Sequence, residues 1–248
     1  MDNSSSSKLS WIFSSLSNGI FLFVFMPQFY ENYINKDGNS ISLILLFCLV
    51  FGDFLSMISG IQKGIPNVII FSAIYHIILD YIIISQIIYY RKYKKNSSSI
   101  ELQNEETSPL LDTVIENKRA FLFTNTENIF IWLGYTFIAI LALITYEINS
   151  ELLVDIIAWF ATTVFIVSRI PQIILNFKRK SIKGLSIYSF ILINICNLFF
   201  LLSILINLRE KKRKDYIKFL LFNIQWLFGG FCTIFFDLII FYQFYIYR

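Results

Sequence analysis

Long apolar runs, separated by short polar segments, dominate the chain. A helix needs about 20 apolar residues to cross the roughly 30 Å hydrocarbon core of a bilayer. Seven runs reach that length, and they lie at about 11–33, 41–60, 66–90, 129–147, 152–177, 185–207 and 217–247. The pattern therefore predicts an all-α integral membrane protein with seven transmembrane helices, surrounded by the lipid bilayer.

The apolar runs contain an internal repeat. Polar positions in the first two helices of one unit recur in a second unit 144 residues later, and the third helices match at an offset of 157 residues. The pairs that matter most are Pro27-Gln28 with Pro171-Gln172, Asp53 with Asn197, and Asp80 with Asp237. A repeat of membrane helices is typical of transporters, whose sites lie between the repeats.

The run at 129–147 has no counterpart in this repeat. Two three-helix units joined directly would point in opposite directions across the membrane, and one helix between them restores a common orientation. The sequence thus predicts a 3+1+3 arrangement of parallel repeats. Its four segments are a first repeat (1–90), a flexible cytosolic loop (91–128), a linker helix (129–147) and a second repeat (152–248).

Composition agrees with the membrane assignment and excludes several classes of function. Charged residues make up 15% of the chain, against about 25% in soluble domains. Residues 1–10 are polar, so no cleavable signal peptide is evident. The three cysteines, all within apolar runs, are interpreted as buried side chains; they are Cys48, Cys196 and Cys232. No metal site, cofactor site, hydrolytic motif or nucleic-acid partner is predicted.

The positions of lysine and arginine favour a luminal N-terminus, because twelve basic residues then face the cytosol and eight face the lumen. The strongly basic segment 209–218 opposes this bias. In the favoured orientation the loop 91–128 is cytosolic. There, Glu106 with Leu110 and Leu111 fits the acidic dileucine pattern E-x-x-x-L-L, which a vesicle-coat adaptor could bind, although a chance match is the alternative.

Polar residues within apolar helices are costly and so mark candidate functional sites. The candidate substrate-binding residues are Asp53, Asp80, Asn197 and Asp237, with Arg169 and Asn194 nearby in the pattern. One interpretation pairs Arg169 with one of the aspartates and leaves the others protonated or at an interface. The other is a polar cavity between the repeats, whose carboxylates attract a cation. His76 is interpreted as a packed residue in preference to a proton relay.

Pro27 and Pro171 occupy equivalent places in the two repeats. A proline removes one backbone hydrogen bond and clashes with the preceding helical turn, so each is predicted to kink its helix. Each is followed by a glutamine, Gln28 or Gln172. A matched pair of weakened helices predicts a two-halved gate with these four residues at its hinges.

With their flanking residues, these motifs make the chain similar to the PQ-loop family, and in particular to its lysosomal and vacuolar cationic amino-acid transporters. The similarity covers nearly the whole chain outside its ends and the 91–128 loop. The matching elements are Pro27-Gln28 with Asn32, Ser40 to Ser42, Gly52-Asp53, Tyr75 to Asp80, Gln86, Ser168 to Gln172, Lys180 to Ser186, Asn197, Gln225 to Gly229 and Asp237. In the first repeat, Asp37 and Ser40 replace the usual Ser and Gly of the K-S-x-x-G-L-S run.

The resemblance implies a multi-pass transporter without enzymatic activity that exports lysine, arginine and, as a third candidate, histidine from the lysosome or vacuole by alternating access. It leaves two alternatives open. One is an amino-acid-sensing receptor of the same fold. The other is a related sugar transporter, against which the three aspartates count, because sugar sites need aromatic and amide groups more than carboxylates.

Overall fold

The computed structural model describes residues 3–36, 38–64, 67–104, 140, 144, 150–210 and 213–247. The helices with described bounds are α1 (Asn3–Phe21), α2 (Met26–Asn35), α3 (Leu43–Lys63), α4 (Asn67–Asn104), α5 (Glu151–Val167), α6 (Arg169–Arg179), α7 (Ile187–Glu210) and α8 (Arg213–Ile246). All regular secondary structure in this part of the chain is helical, which confirms the predicted all-α class.

Six stretches of the described chain are helical, apolar and long enough to cross a bilayer: Ser7–Asn35, Leu43–Lys63, Ile70–Arg91, Glu151–Arg179, Ile187–Arg209 and Asp215–Ile246. Large side chains such as Trp11 and Tyr245 are 71% and 82% exposed, as expected for helices in contact with lipid. The predicted linker helix at 129–147 lies outside the described residues apart from 140 and 144. So do the three residues of the dileucine pattern, and both stay predictions.

Two of the six spans are broken helices. Residues 22–25 separate α1 from α2, and Pro27 is the second residue of α2. Ser168 separates α5 from α6, and Pro171 is the third residue of α6. Proline has no N–H for the carbonyl four residues earlier and its ring pushes that carbonyl away. Each break therefore falls on the N-terminal side of its proline.

The two repeats pack crosswise, with the first helix of each against the second helix of the other. The helix α1 lies mainly against α7, and α5, the equivalent of α1, lies against α3, the equivalent of α7. Two serines fasten the first of these interfaces: Ser10 and Ser17 donate from Oγ to the carbonyl oxygens of Ser203 and Cys196, both at 2.9 Å. Small polar residues of this kind let membrane helices approach closely. The first helix of each repeat thus rests on the second helix of the other.

A buried apolar cluster lies toward the end of the bundle that carries the α2–α3 and α6–α7 connections. It is built largely from equivalent positions of the two repeats: Ile41 with Leu185, Leu46 with Phe190, Ile83 with Ile240, and Ile87 with Phe244. All eight side chains are less than 10% exposed. Close packing, more than water exclusion, holds helices together inside a membrane, so this shared cluster joins the repeats at one end.

The helix α4 is longer than the apolar run that predicted it. It continues to Asn104, inside the segment 91–128. At the start of this extension, Arg91 donates from Nε to the carbonyl oxygen of Gly38 at 2.7 Å, which links α4 to the α2–α3 connection. The remainder of the segment lies outside the described residues, and the division of the chain into four segments stays a prediction.

Lys36 and Lys180 end α2 and α6 in the left-handed conformation, with φ of 46° and 49°. They are equivalent positions of the repeat. A residue with a Cβ atom loses about 1–2 kcal/mol in this conformation, so both repeats hold strain at the same turn. In the second repeat the ammonium of Lys180 lies 3.5 Å from the centroid of the Phe177 ring, a cation–π contact that offsets part of that cost.

We expect Lys36→Gly to stabilise the purified chain by about 1 kcal/mol or less. Glycine adopts positive φ without strain but adds about 0.5–1 kcal/mol of chain entropy to the unfolded state. Thermal unfolding in detergent measures the effect. Lys36→Ala is the matched control because it removes the charge and keeps Cβ. A Lys36→Gly variant that unfolds at a lower temperature than Lys36→Ala contradicts the strain argument.

Candidate functional site

A cavity of about 250 Å³ lies between the two repeats. Its wall is mostly apolar and comes from both halves of the chain. The polar and charged residues of the wall are Gln28, Asp53, His76, Asp80, Thr162, Arg169, Ser189, Asn197, Gln225 and Thr233. An apolar pocket with a few convergent polar groups is typical of a site for a small solute.

Asp80 is the most isolated charged group of this wall. Its side chain is 0% exposed, and neither carboxyl oxygen has a hydrogen-bond partner among the described residues. Its electrostatic neighbours are Asp53 and Arg169. A carboxylate that has lost its water and gained no donor is strongly disfavoured, so Asp80 needs either a proton or a cation.

Asp237 is the equivalent of Asp80 and has a different environment. Its Oδ1 accepts from Nε of Arg169 at 3.0 Å, and its Oδ2 accepts from Nδ2 of Asn194 at 2.8 Å. The pair with Arg169 is buried on both sides, and Asp237 is not among the residues of the cavity wall. Its predicted role in substrate binding stays a prediction; the geometry matches the alternative in which Arg169 pairs with one aspartate.

The difference between the two aspartates follows from two positions at which the repeats diverge. The equivalents of Arg169 and Asn194 in the first repeat are Phe25 and Val50. Neither side chain has a polar atom, so neither can bond a carboxylate. The first repeat thus keeps the aspartate and lacks both groups that neutralise it in the second.

Asp53 and Asn197, predicted as substrate-binding residues at equivalent positions, both lie on the cavity wall. Both are partly buried. The structure therefore brings together three of the four predicted substrate-binding residues, Asp53, Asp80 and Asn197, around one space. It adds Arg169, which lines the same cavity and donates from Nε to Asp237.

Gln28 connects the first repeat to the second. Its Nε2 donates to the carbonyl oxygen of Gly184 at 3.0 Å and to Oδ1 of Asn32 at 2.8 Å, and its Oε1 accepts from the backbone N–H of Ser186 at 2.8 Å. Asn32 in turn donates to Oε1 of Gln86 at 3.2 Å. The glutamine of one repeat thus holds the α6–α7 connection of the other.

Gln172 forms the equivalent network in the opposite direction. Its Nε2 donates to the carbonyl oxygen of Ser40 at 3.1 Å and to Oδ1 of Asn176 at 2.8 Å, and its Oε1 accepts from the N–H of Ser42 at 2.8 Å. Asn176 donates to Oε1 of Gln243 at 2.8 Å. The two repeats are therefore held by reciprocal amide clamps, which match position by position.

Each clamp needs a side chain that donates twice and accepts once, and among side chains of this length the glutamine amide is the one with two N–H donors beside an acceptor, since a protonated glutamate has a single donor. This gives a structural reason for the glutamine after each proline. The predicted gating role of Gln28, Gln172 and the two prolines stays a prediction. Sequence reasoning identified the glutamines but not the loops that they hold.

Comparison with known protein families places the repeat at the same positions. A family model described as "PQ loop repeat" matches residues 9–69 and 153–212. The two matches begin 144 residues apart, the offset that relates the proline–glutamine pairs. The first match includes Gln28, most of α1, and all of α2 and α3; the second includes Gln172, most of α5, and all of α6 and α7.

The chain is similar over most of its length to characterised transporters. It is 26% identical to the vacuolar lysine transporter YPQ1 of Saccharomyces cerevisiae, with 98% of this chain and 94% of that protein covered. It is 28% identical to the vacuolar arginine/histidine antiporter YPQ2 of the same organism, over 89% of this chain and 78% of that protein. It is 26% identical to the lysosomal amino acid transporter 1 homolog of Gallus gallus, over 94% and 78%.

The reciprocal clamps make a test in which each substitution acts on the other repeat. Gln172→Glu should loosen residues 40–42, because a carboxylate accepts from Ser42 but repels the carbonyl of Ser40. A buried polar group left without its partner costs about 1–3 kcal/mol, so amide exchange there should accelerate roughly tenfold or more. Gln28→Glu is the matched control and should loosen residues 184–186. If amide exchange became faster only within the repeat that carries the substitution, the conclusion that each glutamine holds a connection of the other repeat would be contradicted.

Proposed function

The chain belongs to the PQ-loop repeat family, and we propose that it exports cationic amino acids from the vacuole or lysosome to the cytosol. Lysine and arginine are the proposed substrates, and histidine is the third candidate. The proposal describes a carrier in the organelle membrane and involves no enzymatic step. Relatives named as vacuolar and lysosomal amino-acid transporters, similar over most of the chain, support both the substrate class and the location.

The observation that carries the proposal is the carboxyl of Asp80, which lies on the wall of the cavity between the repeats and has no hydrogen-bond partner among the described residues. A cation that enters the cavity must shed water, and this is unfavourable unless opposite charge replaces the lost hydration. Asp80, with Asp53 beside it, supplies that charge. A neutral amino acid has its α-ammonium as its one cationic group and would leave one of the two carboxylates without a cation, so the proposed site discriminates by the charge of the substrate side chain.

A cationic amino acid also carries a carboxylate, and Arg169 offers a partner for it. Guanidinium has five N–H donors in a fixed fork, and Nε is directed to Asp237. In the proposed complex, the substrate carboxylate lies toward Arg169 and its two cationic groups toward Asp53 and Asp80. Asn197, the equivalent of Asp53 in the second repeat, contributes an amide that both donates and accepts. Asp237 orients Arg169 by accepting from its Nε.

Alternating access needs helices that bend at fixed points, and the breaks before Pro27 and Pro171 supply them. We propose that the repeats rock about these two hinges while the glutamine clamps keep the connections attached. With a luminal N-terminus, the clamped end faces the cytosol. A vesicle-coat adaptor that binds Glu106, Leu110 and Leu111 is proposed on the sequence pattern alone.

Transport is tested with the purified chain in liposomes. We expect saturable uptake of labelled arginine, and we expect Asp80→Asn to weaken arginine affinity about thirtyfold or more, since removing one charge of a buried pair costs about 2–5 kcal/mol. The matched control is Asp155→Asn, which removes a carboxylate that is 61% exposed and paired with Lys63. That control should transport normally.

Two outcomes separate the alternatives. Saturable arginine binding without flux would support the amino-acid sensor and exclude the transporter. Flux with unchanged arginine affinity in Asp80→Asn would exclude Asp80 as the charge that binds the substrate. Competition by neutral amino acids at the same concentration as arginine would contradict the selection by charge.

The hinge proposal makes a separate prediction. Pro27→Leu and Pro171→Leu restore the missing N–H and let the helix straighten, so each should lower the maximal rate of arginine flux by about tenfold or more. Arginine binding, measured in detergent by the same ligand, should change by less than about twofold in each variant. Wild-type flux in both variants would show that the breaks are static features of the fold.

A further inference from the structure

Backbone carbonyl oxygens beside the two helix breaks have different hydrogen-bond partners. At the break between α5 and α6 the partner is local, because Ser168 donates from Oγ to the carbonyl oxygen of Phe165 at 2.6 Å. At the break between α1 and α2 the partner is in α4, where Nε2 of His76 lies 3.1 Å from the carbonyl oxygen of Phe21. Thr233, the equivalent of His76 in the second repeat, bonds within its own helix. Among the described residues, a bond from the third helix to a backbone carbonyl of the break is therefore found in the first repeat, whereas in the second repeat α8 reaches the break through the pair of Asp237 with Arg169.

Both ring nitrogens of His76 face carbonyl oxygens. Nδ1 lies 2.8 Å from the carbonyl oxygen of Ser72, one turn earlier in α4, and Nε2 faces Phe21 across the helix interface. A carbonyl oxygen can only accept, and a neutral imidazole has one N–H, whereas an imidazolium has two. The geometry is fully satisfied only when His76 is protonated. In the neutral form, one nitrogen directs a lone pair at an oxygen.

We propose that His76 is a positioning residue for the transport cycle and acts as a proton-dependent latch on the first hinge. As an imidazolium it fastens the end of α1 to α4 through Phe21. As a neutral imidazole it keeps the shorter bond to Ser72 and releases Phe21. An unperturbed histidine changes its charge between about pH 5 and 8, so an acidic lumen and a neutral cytosol favour different states of this hinge.

The charged and titratable groups around His76 affect whether its ring is protonated. From α4 itself, Asp80 lies one turn further along and Tyr75 precedes it. Asp53 of α3 and Arg169 of α6 share the cavity wall with His76, and Arg169 is paired with Asp237 of α8. Burial of the His76 ring, which is 2% exposed, opposes its charge, and the two carbonyl acceptors favour it.

Aromatic residues at the break between α1 and α2 also favour the charged form of His76. The ring of Phe21 stacks on His76 with centroids 3.8 Å apart, and Phe25 lies at 5.8 Å. A cation on the face of an aromatic ring is stabilised by the ring's quadrupole. Tyr75 forms a second link to the break, since its hydroxyl donates to the carbonyl oxygen of Leu22 at 2.9 Å. That bond does not depend on a proton taken up by His76, and it supplies a control.

Amide hydrogen exchange of residues 20–26 tests the latch in the purified full chain without substrate. Corrected for intrinsic exchange, protection in the wild type should fall by about tenfold between about pH 5 and pH 7.5, the effect of losing one hydrogen bond. His76→Gln, which keeps an N–H donor and does not titrate, should remove this dependence on pH. Tyr75→Phe should lower protection at both pH values and keep the dependence.

Residues 164–170, at the break closed by Ser168, are the internal reference and should respond little to pH in all three proteins. A pH dependence that persists in His76→Gln, or one that is missing in the wild type, overturns the latch. In liposomes, the change in the maximal rate of arginine flux between about pH 5 and pH 7.5 should be smaller in His76→Gln than in the wild type, where it adds to any effect of protons on Asp53 and Asp80. The latch matters for transport only if the proposed function holds, but exchange is measured without transport, so each idea can fail independently.

Discussion

A carboxylate inside an apolar helix bundle has to be neutralised, and the two halves of this chain do it differently. Asp237 receives a guanidinium and an amide from its own repeat. Asp80, at the equivalent position, receives neither from the described residues. Charge that cannot be compensated inside the protein must be compensated by what enters the cavity. The proposed choice of substrate depends on this imbalance.

The scaffold around that imbalance is symmetric. The reciprocal glutamine clamps, the exchange of first and second helices and the shared apolar cluster all repeat position by position. Each clamp passes from one repeat to the other, so each connection is held in part by the opposite half. The two repeats differ at many positions, and three of these differences bear on the two aspartates and the first break: Phe25 against Arg169, Val50 against Asn194, and His76 against Thr233. Equivalent contacts thus hold the helices of the two repeats together, and differences between equivalent residues give the candidate site its chemistry.

The sequence predicted the parts of this arrangement that depend on spacing. The length of the apolar runs predicted the membrane spans, and the offset between Pro27-Gln28 and Pro171-Gln172 predicted the repeat. Partners were harder to predict, because Gln28 bonds Gly184, 156 residues away, and a spacing pattern does not tell contacts within a repeat from contacts across it. The sequence offered three aspartates as partners of Arg169, and only the contact between α6 and α8 in the fold identifies Asp237 as the partner. The acceptors of His76 are backbone carbonyls, which are alike at every residue and leave no sequence signal.

Neutralising one of the two equivalent aspartates suits a carrier better than neutralising both or neither. If Phe25 and Val50 were replaced by the arginine and asparagine of the second repeat, Asp80 would be paired as Asp237 is, and Asp53 alone would be left to attract a cation. If Arg169 were absent, Asp237 would keep only the amide of Asn194, and the bundle would hold a further carboxylate without a cationic partner. Conduction through any site requires binding that is favourable enough for entry and weak enough for release. The difference between the repeats at two positions meets both requirements, because it neutralises one aspartate and leaves the other for the substrate.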